Sequence, residues 1–230
     1  MASSGARPDR AAGGVFVTGT GTEVGKTVVA GVIARAAVGD GLDVAVFKPA
    51  VSGLDECAER GEPADHERLR HAARSDQSDE QIAPYRYGPA VAPHLAAELA
   101  GEEISPSRLH AGARAAAAGR DYLVCEGVGG FLVPLTSDYL VRDFARDLAL
   151  PVVVAAEPGL GTINHTLLTV EAVRGADLEV LAVVLTPWPE RPGELERSNR
   201  ETIGRLAGVS VLELESIALD RPGDWPQLAL

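Results

Sequence analysis

The sequence predicts an α/β fold: a doubly wound, mostly parallel sheet flanked by helices, in a single domain. Three observations carry this. Short apolar runs alternate with longer amphipathic stretches, the pattern of repeated βαβ units. Two of the runs, residues 152–154 and 181–185, are continuous rather than alternating, as strands buried on both faces require. The 230 residues, with 46% apolar types, suffice for one large domain and are too few for two comfortable ones.

In chain order, residues 15–19 read as a first strand and 25–38 as a helix rich in Val, Ala and Ile. A short second strand at 43–47 is closed by Lys48-Pro49. Helices are expected near 64–74 and 107–118. Between them, residues 81–93 carry Pro84, Pro89 and Pro93 and read as breaks and turns. Strands follow at 121–125, 151–156 and 180–185, the last two leading into helices at 161–174 and 194–206, and 209–214 is a sixth strand. Residues 1–13, dominated by Ser, Gly, Arg and Pro, read as a flexible tail ahead of a domain at 14–230.

Composition excludes several classes. With 21 basic and 33 acidic residues the net charge is −12, which argues against binding nucleic acid or an anionic membrane. Aromatic residues are 4%, so the core is expected to be built from Ala, Val and Leu. Cys57 and Cys125 cannot form a disulfide framework or a Cys-rich zinc site. Cys125 reads as a buried thiol in an apolar strand, Cys57 as a polar-loop residue without a role, and the acidic run 76–80 as a solvated loop. No apolar stretch approaches the roughly 20 residues of a membrane span, and residues 1–14 lack the apolar centre of a secretory signal, so a cytoplasmic protein is expected.

In such sheets ligands sit beyond the carboxyl ends of the strands. After the first strand comes Gly19-Thr20-Gly21-Thr22-Glu23-Val24-Gly25-Lys26-Thr27, then a helix. This resembles a Walker A loop expanded to five residues between Gly19 and Gly25. Backbone N–H groups from Gly21 through Val28 would wrap a nucleotide's phosphates at the helix N-terminus. Lys26 would reach the β- and γ-phosphates, and Thr27 would ligate Mg²⁺. Gly21 stands where partitioning-type switch ATPases carry an extra lysine, which disfavours that reading.

The second strand ends in Lys48, aimed at the phosphate crevice, where its charge could support phosphoryl transfer. The third ends in Glu126, a Walker B acid beside Thr27, followed by Gly127, Gly129 and Gly130, which permit close backbone approach to a ligand. After the fourth come Leu160, Gly161, Thr162, Ile163 and Asn164 at a helix start, where free N–H groups suit a carboxylate or phosphate. His165 reads as structural or exposed rather than as a base.

Taken together, these segments, with Ser52-Gly53, Pro84-Tyr85 and Pro93-His94 in the same order, resemble the dethiobiotin synthetase family over residues 15–169, with a weaker continuation to 206. The resemblance implies a P-loop NTPase fold of the nitrogenase iron-protein type and a homodimer with its substrate site at the interface. It implies ATP- and Mg²⁺-dependent carboxylation of 7,8-diaminopelargonic acid with CO₂ or bicarbonate. Lys26 and Lys48 would bracket the carbamate and γ-phosphate, and Thr27, Asp65 and Glu126 would surround Mg²⁺. Thr22, Ser52 and Gly129 would contact the diamine or carbamate. Leu160 to Asn164 of the partner subunit, with Asn199, would hold the substrate carboxylate. Thr186-Pro187 stands where many relatives carry Asn-Asp against the base, so a looser nucleotide preference is expected. The alternatives are a nucleotide-switch ATPase of the same fold, a cobyrinate-type synthetase, and a relative that binds nucleotide without turnover.

Overall fold

The computed structural model describes residues 13–230. Six strands form one sheet: β1 Gly13–Gly19, β2 Val44–Phe47, β3 Tyr122–Glu126, β4 Val152–Ala156, β5 Val180–Trp188 and β6 Ser210–Glu215. Their order is β2-β3-β1-β4-β5-β6, and every neighbouring pair is parallel. The helices are α1 Lys26–Gly39, α2 Leu54–Arg60, α3 Asp65–Ala72, α4 Asp79–Ile82, α5 Pro93–Leu99, α6 Pro106–Ala117, α7 Val141–Leu148, α8 Thr162–Arg174 and α9 Glu194–Ala207. β1 lies between β3 and β4, so the winding direction reverses at its carboxyl end, where the strand ends part and leave a crevice.

Alternation along β1 builds two cores. Val15 and Val17 pack with α1 and α3, through Val29, Ile33 and Leu69. Phe16 faces the other side, with Phe144 of α7, Val170 of α8 and Ile203 of α9. The edge strand β2 is capped by a side chain acting as a strand partner. Gln77 accepts from Val46 N–H at 2.9 Å and donates to the Val46 carbonyl at 3.1 Å.

The expected strands and long helices are present, their ends displaced by three residues at most. The tail expected at residues 1–13 lies outside the described residues, apart from Gly13, which opens β1. Four short helices were not expected. α2 buries none of its residues, so it carries no apolar periodicity to read. Pro93, read as a breaker, occupies the first turn of α5, where a missing N–H costs nothing. The run 76–80 is not a plain solvated loop: Ser78 and Gln81 form a capping box that starts α4, and Asp76, Asp79 and Glu80 pair with Arg120, Arg70 and Arg86. α7 buries Val141, Phe144 and Ala145, a helical spacing present in the sequence.

After β6 the chain returns over the back of α1. Trp225 is 2% exposed, and its ring lies where a side chain at Gly31 would begin: a Cβ there would come 2.4 Å from Cζ3. Trp225 Nε1 donates to the Ala218 carbonyl at 2.8 Å, and Arg35 Nε donates to the Trp225 carbonyl at 2.5 Å. Among the described residues no helix is long and apolar enough to cross a membrane.

Candidate active site

The loop from β1 to α1 is shaped by its last glycine. Gly25 caps α1 in the left-handed region (φ 86°), and a Cβ there would come 2.5 Å from Thr186 Cγ2, so only glycine fits. Thr186 is thereby placed beneath the loop, buried at the end of β5. Val24 is also buried, pinning the loop to the protein and leaving Thr22 and Glu23 outermost. Lys26 folds back over the loop, its Nζ donating to the Gly21 carbonyl at 2.7 Å.

The parallel register sets Val17 of β1 opposite Glu126 of β3, bringing the Glu126 carboxylate under the start of α1. There Thr27 Oγ1 donates to Glu126 Oε1 at 2.9 Å. Lys48 follows β2, held by its own N–H to the Ile82 carbonyl at 2.8 Å. Its Nζ donates to Glu126 Oε1 at 2.5 Å and to Asp65 Oδ2, at the first turn of α3, at 2.8 Å.

The electrostatics follow from burial. Burial works against the Lys48 charge, but Asp65 and Glu126 more than offset it and hold the ammonium above its ordinary range. Lys26 has weaker partners, and burial followed by repulsion from Lys48 lowers it to about 8. Burial opposes ionisation of Asp65 as well, yet Lys48 and then Arg68 keep its carboxyl below the usual value. Burial pushes Glu126 upward despite Lys48.

These groups line a cavity of about 710 Å³. It brings together Thr22, Glu23, Gly25, Lys26, Thr27, Val28, Lys48, Ser52, Asp65, Glu126 and Gly129 of the residues singled out from sequence. Gly21, Val24 and Thr186 support the loop without lining the cavity. Leu160, Gly161, Thr162, Ile163, Asn164 and Asn199 are not brought into it either. Residues 160–164 follow β4, with Leu160 93% exposed, whereas Asn199 stands on α9. Asn199 is buried and donates through Nδ2 to the Pro158 and Gly159 carbonyls, at 2.9 and 3.0 Å, fixing the turn before α8. The cavity also takes in residues that sequence reading missed, among them Arg68, Cys57 and Leu219. Arg68 had a readable signal, three residues after Asp65 on one helix face. Cys57 stands on α2, and Leu219 arrives only because Trp225 anchors the segment beyond it.

The donor set fits a hard divalent cation. Glu126 Oε2 is buried and has no hydrogen-bond partner among the described residues, beside the Thr27 hydroxyl. A desolvated carboxylate with a spare oxygen is what Mg²⁺ takes, together with phosphate oxygens and water. No cluster of three or more His, Cys, Asp or Glu able to hold a metal occurs among the described residues. One spare carboxylate oxygen beside one hydroxyl suits an ion that completes its shell with phosphate oxygens and water.

Comparison with known proteins gives concordant matches. A family described as "AAA domain" matches residues 13–215. The chain is 50% identical over 172 residues to the ATP-dependent dethiobiotin synthetase BioD of Anaeromyxobacter dehalogenans (strain 2CP-1), covering 75% of each chain. It is 36% identical over 200 residues to the protein of the same name from Bacillus subtilis (strain 168), covering 86% of this chain and 85% of that one. Among solved structures, pNOB8 ParA bound to nonspecific DNA superposes with a TM-score of 0.54 at 11% identity, over 91% of this chain and 86% of the other. That likeness concerns the fold alone.

Proposed function

The chain belongs to the ATP-dependent dethiobiotin synthetase family, and on that premise we propose that it closes the ureido ring of dethiobiotin from 7,8-diaminopelargonic acid, CO₂ and Mg²⁺-ATP. The supporting observation is one ammonium group, Lys48 Nζ, shared between Glu126 and Asp65 in the cavity that also holds Lys26 and Thr27.

In the proposed reaction one amine nitrogen of the diamine adds to the carbon of CO₂ and loses a proton, giving a carbamate. A carbamate oxygen then takes the γ-phosphoryl group as its bond to the β-phosphate oxygen breaks, and ADP departs. The second amine, neutral, attacks the carbonyl carbon. Phosphate leaves with the C–O electron pair, the nitrogen loses its proton, and the ring is closed. Asp65 and Glu126 hold the Lys48 ammonium above its ordinary range, so its role in the proposal is a positive charge beside the carbamate and the transferring phosphoryl group. Lys26 and the backbone N–H groups of the loop hold the phosphates. Thr22 and Ser52 contact the carbamate or diamine, and Gly129 lets the backbone approach it. Thr27, Asp65 and Glu126 would hold Mg²⁺, which when bound neutralises and orients the phosphates. The reaction needs no strong general base, since positioning and charge stabilisation carry it.

The substrate carboxylate is assigned to the N-terminus of α8, at Gly161 to Asn164, supplied by the second subunit of a homodimer. Exposure of Leu160 and the Asn199-pinned turn support this. A helix N-terminus contributes about 0.3–1 kcal/mol, enough to orient the carboxylate. The net charge of −12 supports a small-molecule enzyme without nucleic-acid or membrane partners, and the proposal places it in the cytoplasm. The test is ADP release from purified protein with Mg²⁺-ATP, bicarbonate and diamine, each omitted in turn. Turnover only with the diamine present is expected, and diamine-independent hydrolysis would favour the switch ATPase instead.

A further inference from the structure

The cavity holds a cation that the reaction above does not use. Arg68 stands three residues after Asp65 on α3, its side chain 11% exposed. Its Nη2 donates to Glu62 Oε2 at 3.2 Å, while Nη1 lies 3.8 Å from Asp65 Oδ1, beyond a direct hydrogen bond. Arg68 Nε is buried and has no hydrogen-bond partner among the described residues. The Asp65 carboxylate separates the two cations, Oδ2 toward Lys48 and Oδ1 toward Arg68, and both side chains line the same cavity.

The charge balance gives this position meaning. Lys26 and Lys48 are matched by Asp65 and Glu126, so a triphosphate with one divalent cation would bring uncompensated negative charge. Two further arginines line the cavity: Arg60 has a side chain 55% exposed, whereas Arg68 is 11% exposed and keeps donors to spare, because its partner Glu62 is 46% exposed and engages only one end of the guanidinium. A planar fork of N–H donors matches two oxygens of a phosphoryl group, and phosphoryl transfer spreads charge over its equatorial oxygens. We propose that Arg68 contacts the terminal phosphoryl group of the bound nucleotide and the phosphate it becomes, so that it selects triphosphate over diphosphate. Glu62 orients the guanidinium from the solvent side. This rests on the nucleotide reading of the cavity.

The experiment compares Arg68→Ala and Arg68→Lys with the parent, titrating ADP and the non-hydrolysable triphosphate AMP-PNP in Mg²⁺ buffer by calorimetry. In Arg68→Ala the triphosphate analogue weakens by roughly 10- to 100-fold while ADP changes by less than about threefold. Inhibition by inorganic phosphate weakens in step, and Arg68→Lys recovers part of both. A purely structural role, pinning residues 61–64 through Glu62, would weaken both nucleotides by one factor. That outcome, or unchanged binding of both, overturns the proposal. If Arg68→Ala binds no ADP because it fails to fold, Arg68→Lys is read by the same comparison. Failure here leaves diamine-dependent turnover of the parent untouched, whereas a parent that binds no nucleotide would overturn the underlying reading.

Discussion

Lys48 Nζ and Glu126 Oε1 lie 2.5 Å apart, with Lys48 3% exposed and Glu126 0% exposed. Removing one member of such a buried pair strands the other. Lys48→Ala should therefore abolish ring closure and also destabilise the fold by about 3–5 kcal/mol. Adding Glu126→Gln should recover much of that stability and none of the turnover. Urea unfolding and ADP release measure the two effects separately. Parent-like turnover in Lys48→Ala would remove Lys48 from the mechanism.

Lys26 titrates at about 8 in the ligand-free protein. Phosphate favours its charged form, so nucleotide binding just above that pH should take up protons, and affinity should fall as pH rises further. Calorimetry in buffers of differing ionisation enthalpy reads the uptake, and Lys26→Met should eliminate it. The same shift acts on stability: between about 8 and 10.5 the unfolded lysine keeps a proton that the folded one has lost. This contribution makes the ligand-free protein more stable as pH rises through that window. Binding with no proton uptake would contradict the assignment.

In the proposed reaction the unpartnered oxygen of Glu126 and the Thr27 hydroxyl would serve a metal-linked phosphate site. Glu126→Gln and Thr27→Val should each cut the gain in nucleotide affinity that Mg²⁺ provides by roughly tenfold or more, leaving metal-free binding nearly unchanged. Titrations with Mg²⁺ and with EDTA supply the comparison. Equal losses in both buffers would place the two residues outside the ion's coordination.

Asn199 holds the turn before α8 through two hydrogen bonds to carbonyls. Asn199→Ala should raise the KM for the diamine, by an amount equivalent to about 1–2 kcal/mol, without changing nucleotide affinity. A variant that loses nucleotide binding instead would tie this turn to the other substrate.

The cavity lining includes no Asn or Gln side chain among the described residues, and Thr186 is buried beneath the loop rather than facing it. Turnover with ATP, GTP and CTP should accordingly fall within about tenfold, a modest difference for sites lacking a dedicated hydrogen-bond reader. Activity confined to ATP would show that backbone groups read the base.

What was legible follows from how each feature is specified. The phosphate loop, Lys48 and Glu126 were visible because strand ends and a glycine turn fix their positions locally. Asp65 was recognisable as an acid opening a helix. α2 was invisible because its residues bury nothing, although Cys57 on it borders the cavity. Leu219 had no local signature, since a tryptophan six residues later decides where it lies. The turn at 158–161, which the proposal assigns to the substrate carboxylate, could be named from sequence, but within this chain it does not line the cavity that holds Lys26 and Lys48.

Gly31 and Trp225 interlock across nearly the whole length of the polypeptide, a void on one helix accepting an indole from the last segment. A mid-helix glycine sacrifices about 1 kcal/mol relative to alanine, and the indole lodged there leaves no room for a larger residue at 31. Neither position is then free to drift by itself in evolution. An enlargement at 31 has to be answered by a smaller ring at 225, so descendants should inherit the two as one unit.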